Sequence, residues 1–385
     1  MSTKVFVMTH KKFPEPPEQV YVPMQVGKAD AEDLGYLGDD TEDNISKSNI
    51  FYGELTGLYW VWKNFHNADN VGICHYRRYF LDQDQRLLTE EDYERILSEY
   101  DIIVSNRAYA DGSYLEYYSE GHNVNDLLVT GEVLKEKYPE YYPFFKQAID
   151  ENIYFFGNLM VTSKEKFDAY ATWLFDILFE VEKRIDVSDY DLYNQRVYGF
   201  LSEQLLKVWI DKNQLKIYEG IVGITAEKAE TVEFKLAISQ LLKMGEIEQA
   251  KDFFYEFMNI RPDVRLELSD IKGEIPIIEH ILYICDEERK RDITGMYSNS
   301  SDLNKLIEQY LAILDIMKKC AQEDGAEQEC NYIIENNISW VPIVVILMNV
   351  MDKELDRGKV KEEMQRIFTQ IGKPEYAEML ANVTL

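Results

Sequence analysis

Near Thr225 the sequence changes character, and that change limits the fold more than any motif does. Residues 1–225 hold 38 aromatic side chains (21 Tyr, 4 Trp and 13 Phe), whereas residues 226–385 hold 12 (6, 1 and 5). Before the step, short apolar runs alternate with helical periodicity, the pattern of a layered α/β domain. After it the periodicity is helical throughout. Two domains, 1–225 and 226–385, are therefore expected, which also suits a chain of 385 residues.

Acidity does not change across the step. The formal net charge of −29 divides into −17 for the first 225 residues (22 basic, 39 acidic) and −12 for the rest (19 and 31). So acidic a surface repels phosphate backbones and anionic headgroups, so nucleic acid is not an expected partner and any anionic ligand needs a local basic cluster. With 46% hydrophobic residues the chain can bury a large core. The start, MSTKVFVMTHKKF, carries no leader pattern, and no run of apolar residues is long enough to span a membrane, so a soluble cytoplasmic protein is expected. Cys74, Cys285, Cys320 and Cys330 show no CxxC spacing and read as reduced, mostly buried thiols.

In the first part, Val5 to Met8, Val20 to Val26, Val71 to Cys74 and Ile102 to Val104 read as strands. Phe51, Leu55, Leu58, Trp62 and Phe65 fall on one face of a single helix, with Asn44, Ser46, Ser48 and Asn49 offering N-caps. A second helix runs through Tyr193, Val197, Leu201, Leu205 and Val208. In the second part, helices are expected over Phe234 to Met244 and Ile247 to Asn259, broken at Gly245, and again over Tyr310 to Cys320 and Ile343 to Met351. The Leu-Leu-x-x-Gly-x-x-x-x-Ala spacing at Leu241 is similar to half of a tetratricopeptide-type hairpin, but without a convincing second copy a plain helical bundle is expected.

The densest group of unusual residues is Gly72-Ile73-Cys74-His75-Tyr76-Arg77-Arg78-Tyr79-Phe80. A strand ending this way delivers an imidazole, two guanidiniums and two phenols to the carboxyl edge of a sheet, where open α/β folds bind ligands. Guanidinium forks match phosphate oxygens, so His75, Arg77 and Arg78 are candidates to hold an anion. The plainer alternative pairs both arginines with Asp82, Asp84 or the acidic helix beyond. Asp39-Asp40-Thr41-Glu42-Asp43-Asn44-Ile45-Ser46 could hold a divalent cation such as Mn or Mg at Asp39 and Asp40, or could be a solvated helix cap. Tyr52, Glu54 and Thr56 could reach the same cleft. The pairs Asp82-Gln83-Asp84 and Asp189-Tyr190-Asp191 carry no information, because 29 Asp in a chain of this length give about two such matches by chance. His122 and Asp126, four apart, would share one side of a helical turn as an acid, base or ligand pair. Asn158 could bond a hydroxyl. Glu203 is either catalytic or half of a surface pair with Lys207.

Taken in order, Val5-Phe6-Val7-Met8-Thr9-His10-Lys11, Gln25-Val26-Gly27, Asp39 to Ser46, Glu54-Leu55-Thr56-Gly57-Leu58-Tyr59-Trp60, Cys74 to Phe80 and Gly199-Phe200-Leu201-Ser202-Glu203 resemble successive blocks of one bacterial family. It is the exopolysaccharide and capsule biosynthesis group named domain of unknown function 4422, and the resemblance covers about residues 3–222. The family pattern has Gly where Glu42 stands and Arg where Gln204 stands. The resemblance implies a GT-A-like fold with a mixed central sheet, and a glycosyltransferase moving a hexose or galactofuranose from a nucleotide diphosphate donor to a saccharide acceptor. It implies no firmly assigned catalytic residue.

That reaction assigns roles to the residues above. Thr9, His10, Lys11, Gln25 and Gly27 would contact the nucleotide. His75, Arg77 and Arg78 would stabilise the diphosphate, with or without a metal at Asp39 and Asp40. Asn44, Tyr52, Glu54, Thr56, His122 and Asn158 would line the substrate cleft. Asp126 and Glu203 compete as base, and Tyr76, Tyr79, Tyr117 and Tyr118 would stack on sugar faces. A lipid-linked acceptor would bring the protein to the inner face of the membrane, and residues 226–385 would dock a protein partner. Two other readings stay open: a non-catalytic glycan- or partner-binding protein of the assembly machinery, and a glycoside hydrolase with two facing carboxylates.

Overall fold

The computed structural model describes residues 2–265, 269–322, 327–349 and 356–383, apart from the side chains of 322 and 327–330. Met351 and the Cys330 thiol lie outside the described residues. The chain divides into two compact units, Met1–Ala226 and Glu227–Leu385.

The first unit is a mixed α/β domain. Its strands are β1 (Thr3–Thr9), β2 (Tyr21–Gln25), β3 (Leu37–Gly38), β4 (Asn70–His75), β5 (Arg78–Leu81), β6 (Ile102–Ser105), β7 (Arg107–Tyr109), β8 (Ile153–Phe155), β9 (Met160–Ser163) and β10 (Ile217–Ile224). Its helices are α1 (Asn49–Tyr52), α2 (Leu55–Asn64), α3 (Glu90–Leu97), α4 (Tyr114–Gly121), α5 (Val124–Lys137), α6 (Tyr142–Asp150), α7 (Lys164–Glu182) and α8 (Val197–Asn213). β3, β2, β1 and β4 lie side by side and parallel. From β4 the sheet closes on itself: β9 runs antiparallel between β4 and β6, β6 pairs in parallel with β10, β10 pairs with β5, and β5 meets β4 again at the His75–Arg78 pair. β7 and β8 form a separate two-stranded ribbon.

Strand alternation divides the core between the two faces of the sheet. Phe6, Met8, Val71, Ile73 and Val104 face helices α2 and α5–α8, packing on Leu58, Phe145, Phe167, Leu174 and Leu205. Val5, Val7, Cys74, Ile103 and Val161 face the other way onto Tyr93 and Ile96 of α3. With both faces covered, β1 reads as a continuous apolar run. The single helix expected from Phe51 to Phe65 is broken into α1 and α2. Gly53 interrupts it at φ 55 and ψ −132, a conformation that only glycine adopts readily. Asn49 donates to its carbonyl at 2.7 Å, as does the Thr56 hydroxyl at 3.1 Å, and no side chain caps the start of either helix.

In the second unit every described regular element is helical: α9 (Ala229–Lys243), α10 (Ile247–Ile260), α11 (Glu274–Lys290), α12 (Met296–Asn299), α13 (Leu303–Gln322), α14 (Glu327–Glu335), α15 (Trp340–Asn349), α16 (Arg357–Gln370) and α17 (Pro374–Ala381), besides one 3-10 turn. Their core is mostly aliphatic, with Ile238, Ile278, Ile281, Met317, Ile346 and Ile367 fully buried. Four of these helices end in the same way. At Gly245, Asp292, Asn337 and Gly372 the chain takes a left-handed residue, φ 82, 54, 47 and 77. Each time the next amide reaches back five residues, from Glu246 to Leu241, Ile293 to Glu288, Ile338 to Ile333 and Lys373 to Phe368, at 2.8–3.0 Å. This is the Schellman cap, repeated at four corners. Among the described residues no helix is long and apolar enough to cross a membrane.

Candidate active site

Because Ile73 of β4 lies opposite Met160 of β9, the residues entering β9 arrive at the carboxyl end of β4. There the chain turns through two left-handed residues, Gly157 (φ 84) and Asn158 (φ 53). A Cβ on Gly157 would lie 2.9 Å from Leu159 Cδ1 and 3.0 Å from Arg78 Nη1, so the position has no room for a side chain. His75 Nε2 meets the Gly157 carbonyl at 2.8 Å, and the Gly157 N–H donates to Glu203 Oε1 at 3.1 Å. The buried Asn158 donates to Glu54 Oε1 (2.8 Å) and to the Gly199 carbonyl (3.1 Å), and accepts from the Ser202 hydroxyl (2.9 Å). One corner thus ties together the end of β4, the break before α2 and the first turns of α8.

The charges around this corner are unequal in their bonding. Glu54 is buried and ion-paired to Arg196 at 3.3 Å. Burial alone would lift its carboxyl, but His75, Arg196 and Asn158 outweigh burial and hold it below the usual range, so Glu54 is ionised. His75 is brought down to about 4, chiefly by burial, with Glu54 opposing and Arg78 adding, and is neutral at pH 7. Glu203 keeps an exposed edge, yet the atoms crowding its carboxyl keep bulk water off and lift it to about 8. Glu54 adds to that rise while Arg78, the Gly157 N–H and Arg196 oppose it. Its Oε1 accepts from Gly157, and no group among the described residues donates to Oε2.

Arg78 is the exceptional member. Burial, then Arg77, lower it to about 10, still charged at pH 7. Its guanidinium lies over the Phe156 ring at 4.5 Å, and its wholly buried Nε has no hydrogen-bond partner among the described residues. A buried charged donor with nothing to bond is costly unless a ligand completes it. Asp82 and Asp84, expected as partners of the two arginines, both pair with Arg86 at an exposed turn, 2.8 Å each. Arg77 is buried beside the end of β10, its carbonyl accepting from Thr225. Glu203 is likewise not paired with Lys207, which binds Glu151 and Asp211 instead.

Several residues expected at the site are occupied elsewhere. His122 and Asp126 do not share a helical turn: His122 ends α4 and meets Asn194 Oδ1 at 2.8 Å, whereas Asp126 opens α5 with both oxygens bonded to the Tyr190 phenol at 3.0 and 2.8 Å. A base needs an open oxygen, and Asp126, 1% exposed, offers none. Tyr52 is buried and donates to Glu182, Thr56 bonds the Gly53 carbonyl, and Tyr79 bonds the Tyr76 carbonyl from within the core. Asn44 shapes its own loop by bonding Thr41, Glu42 and Ser46. Glu42, where the related pattern has Gly, sits at φ 51 in that loop. At the ends of β1 and β2, Thr9 bonds both backbone groups of Lys11, and Gln25 pins the loop at Glu32 and Leu34. Gly27, φ 66, lets Asn49 approach within 2.9 Å of where a Cβ would be, and the exposed His10 lies edge-on to Tyr76 at 5.6 Å.

The pair proposed for a metal is split in its bonding. Asp39 is fully buried and accepts from the Gly27 N–H (2.8 Å), the Lys28 N–H (3.1 Å) and the Ser46 hydroxyl (2.5 Å), whereas Asp40 Oδ1 is buried with no hydrogen-bond partner among the described residues. Among the described residues no three His, Cys, Asp or Glu side chains gather as a metal site. Arg196, Gly157, Ser202 and Phe156 complete the corner without having stood out in the sequence. Gly157 alone left a signal, as the glycine ending the aromatic run Tyr154 to Phe156.

Fold and corner together define an α/β domain that brings Arg78, its buried Nε without a partner among the described residues, and the Glu203 carboxyl to the carboxyl end of β4. The chain belongs to the family described as domain of unknown function DUF4422, whose family model matches residues 4–214. Among solved structures it is similar to the apo form of the bifunctional glycosyltransferase WbbM, at 30% identity and a TM-score of 0.56. That match covers 59% of this chain but only 46% of the other. No curated protein matches the sequence.

Proposed function

We propose that the first unit is a glycosyltransferase of GT-A-like fold, moving a hexose or galactofuranose from a nucleotide diphosphate donor to a saccharide acceptor in cytoplasmic exopolysaccharide or capsule synthesis. The observation that carries this reading is the half-buried Arg78, whose buried Nε has no hydrogen-bond partner among the described residues, at the same corner as Glu203, held through Oε1 by the Gly157 N–H. The family and the glycosyltransferase neighbour support it.

On this reading Arg78 and Arg196 receive the departing diphosphate, each guanidinium facing oxygens whose charge grows as the bond breaks. The acceptor oxygen bonds to the anomeric carbon while the carbon–oxygen bond to the diphosphate breaks, its electron pair leaving on the phosphate oxygen. The hydroxyl proton passes to Glu203 Oε2. Such a single displacement inverts the anomeric centre. His75, neutral, takes no proton. As a donor it fixes the Gly157 carbonyl and so the amide that orients Glu203.

A screen of UDP-, GDP- and dTDP-sugars for nucleotide release tests the reading. Arg78→Ala should lower turnover at least about a hundredfold, the usual loss when one transition-state donor is removed. Its melting temperature should be unchanged. Full turnover in that variant would overturn the assignment. Turnover unchanged by EDTA would remove a metal at Asp39 and Asp40 from the reaction.

A further inference from the structure

Aromatic rings wall the cleft beside Glu203. Helix α4, opened by a capping box between Ser113 and Glu116, carries Tyr114, Tyr117 and Tyr118, and β8 brings Tyr154 against them. Tyr117 and Tyr154 are stacked, centroids 5.0 Å apart and planes inclined by 23°. Tyr114, 3% exposed, backs both at 6.0 and 5.8 Å. Tyr117 itself is 41% exposed, an uncommon state for a ring so firmly backed. β8 leads directly into Gly157, whose N–H holds the Glu203 carboxyl, so Tyr154, with the Tyr117 ring stacked on it, stands on the segment that binds Glu203. The other tyrosines expected to meet sugar do not present a face, since Tyr79 and Tyr118 are buried and Tyr76 packs on His10 and Phe13.

We propose that Tyr117, backed by Tyr154, is the stacking platform of the acceptor subsite, taking the C–H face of a saccharide ring and bringing one of its hydroxyls to Glu203. The proposal rests on the transferase reading above, because it is the acceptor that must place a hydroxyl at Glu203. A sugar ring has an apolar C–H face and a polar rim, which match an aromatic face whose quadrupole is negative and a phenol at its edge. Stacking on Tyr154 fixes the Tyr117 ring before a ligand arrives, so little side-chain freedom is lost on binding.

The test is saturation-transfer NMR on the full chain with methyl β-D-galactopyranoside, methyl α-D-glucopyranoside and methyl α-D-mannopyranoside as probes, and UDP and GDP in parallel. At least one glycoside should receive saturation, strongest at its ring C–H protons. Tyr117→Ala should weaken that signal at least about fivefold, as loss of one stacking contact predicts. Tyr117→Phe should keep it, and both variants should bind UDP or GDP as the wild type does. A platform role is overturned if no glycoside is saturated, if Tyr117→Ala retains the full signal, or if the nucleotide signal falls instead. Glycoside binding by a wild type that binds neither nucleotide and releases none from UDP-, GDP- or dTDP-sugars would overturn the transferase reading, and with it the acceptor assignment, so the two failures are told apart.

Discussion

At the scale of single residues, Glu203 carries the sharpest consequence. A carboxyl lifted to about 8 holds its proton at pH 7 and cannot accept another. As base it makes kcat/KM climb with pH and level off above about 8, and Glu203→Gln should be slow at every pH. A plateau already reached near about 4.5, the ordinary glutamate range, would contradict the role. Stability moves the opposite way: the folded protein holds this proton more tightly than the unfolded chain, so stability falls as pH rises from about 4.5 through about 8. The sequence displayed Arg78 and Glu203 because charged residues at a strand end and on a helix are visible as types and spacings. Asn158 was visible as a candidate, but Arg196 and the left-handed turn through Gly157 and Asn158 were not, since their meaning comes from β9 folding back beside β4. His122 and Asp126 misled for the converse reason. Their spacing fits a helical turn, but Asn123 between them is the N-cap of a new helix, its side chain bonded to the Asn125 amide.

At the scale of elements, the Gly53 break has an effect that periodicity conceals. The apolar positions continue across it unchanged, yet the break makes Glu54 the N-cap residue of α2 and sends its side chain to Asn158 and Arg196. Gly53→Ala should cost about 1–3 kcal/mol in denaturant unfolding, because the conformation is closed to alanine and the new Cβ would sit 3.3 Å from Arg196 Nη2. The strands at β1, β2, β4 and β6 were legible as apolar runs, whereas β3, β5 and β7 to β9 carry no such run and β10, eight residues long, is mostly half-buried and interrupted by Gly220 and Gly223. In the helical unit the first corner is marked by Gly245 and the last by Gly372. The middle two use Asp292 and Asn337, which tolerate the left-handed region without advertising it. Asp292→Gly, at an exposed corner, should therefore stabilise the protein by about 0.5–1 kcal/mol, read as a higher melting temperature.

At the scale of the whole molecule, the aromatic step at Thr225 has a physical cause. In the first unit tyrosine, tryptophan and phenylalanine fill the space between the sheet and α2, α7 and α8 and wall the cleft, while helix-on-helix packing in the second is met largely by Ile, Leu and Met. Charge was legible as a total, but the 70 acids marked no site, whereas the basic cluster at His75 to Arg78 did. With a net charge of −29 the folded chain repels itself, so raising salt from low ionic strength to about 0.15 M should raise the melting temperature. A fall over that range would contradict self-repulsion as the dominant surface effect. The closed path of β4, β5, β10, β6 and β9 has a further consequence. A sheet normally ends in two strands with unpaired amides, where another molecule can add itself. Here, among the described residues, the sheet of the first unit has one such end, and it is the two-residue β3. The eight-stranded sheet therefore offers scarcely any backbone for strand-by-strand polymerisation into fibrils, which leaves the short β7–β8 ribbon as the other edge at which a strand could add.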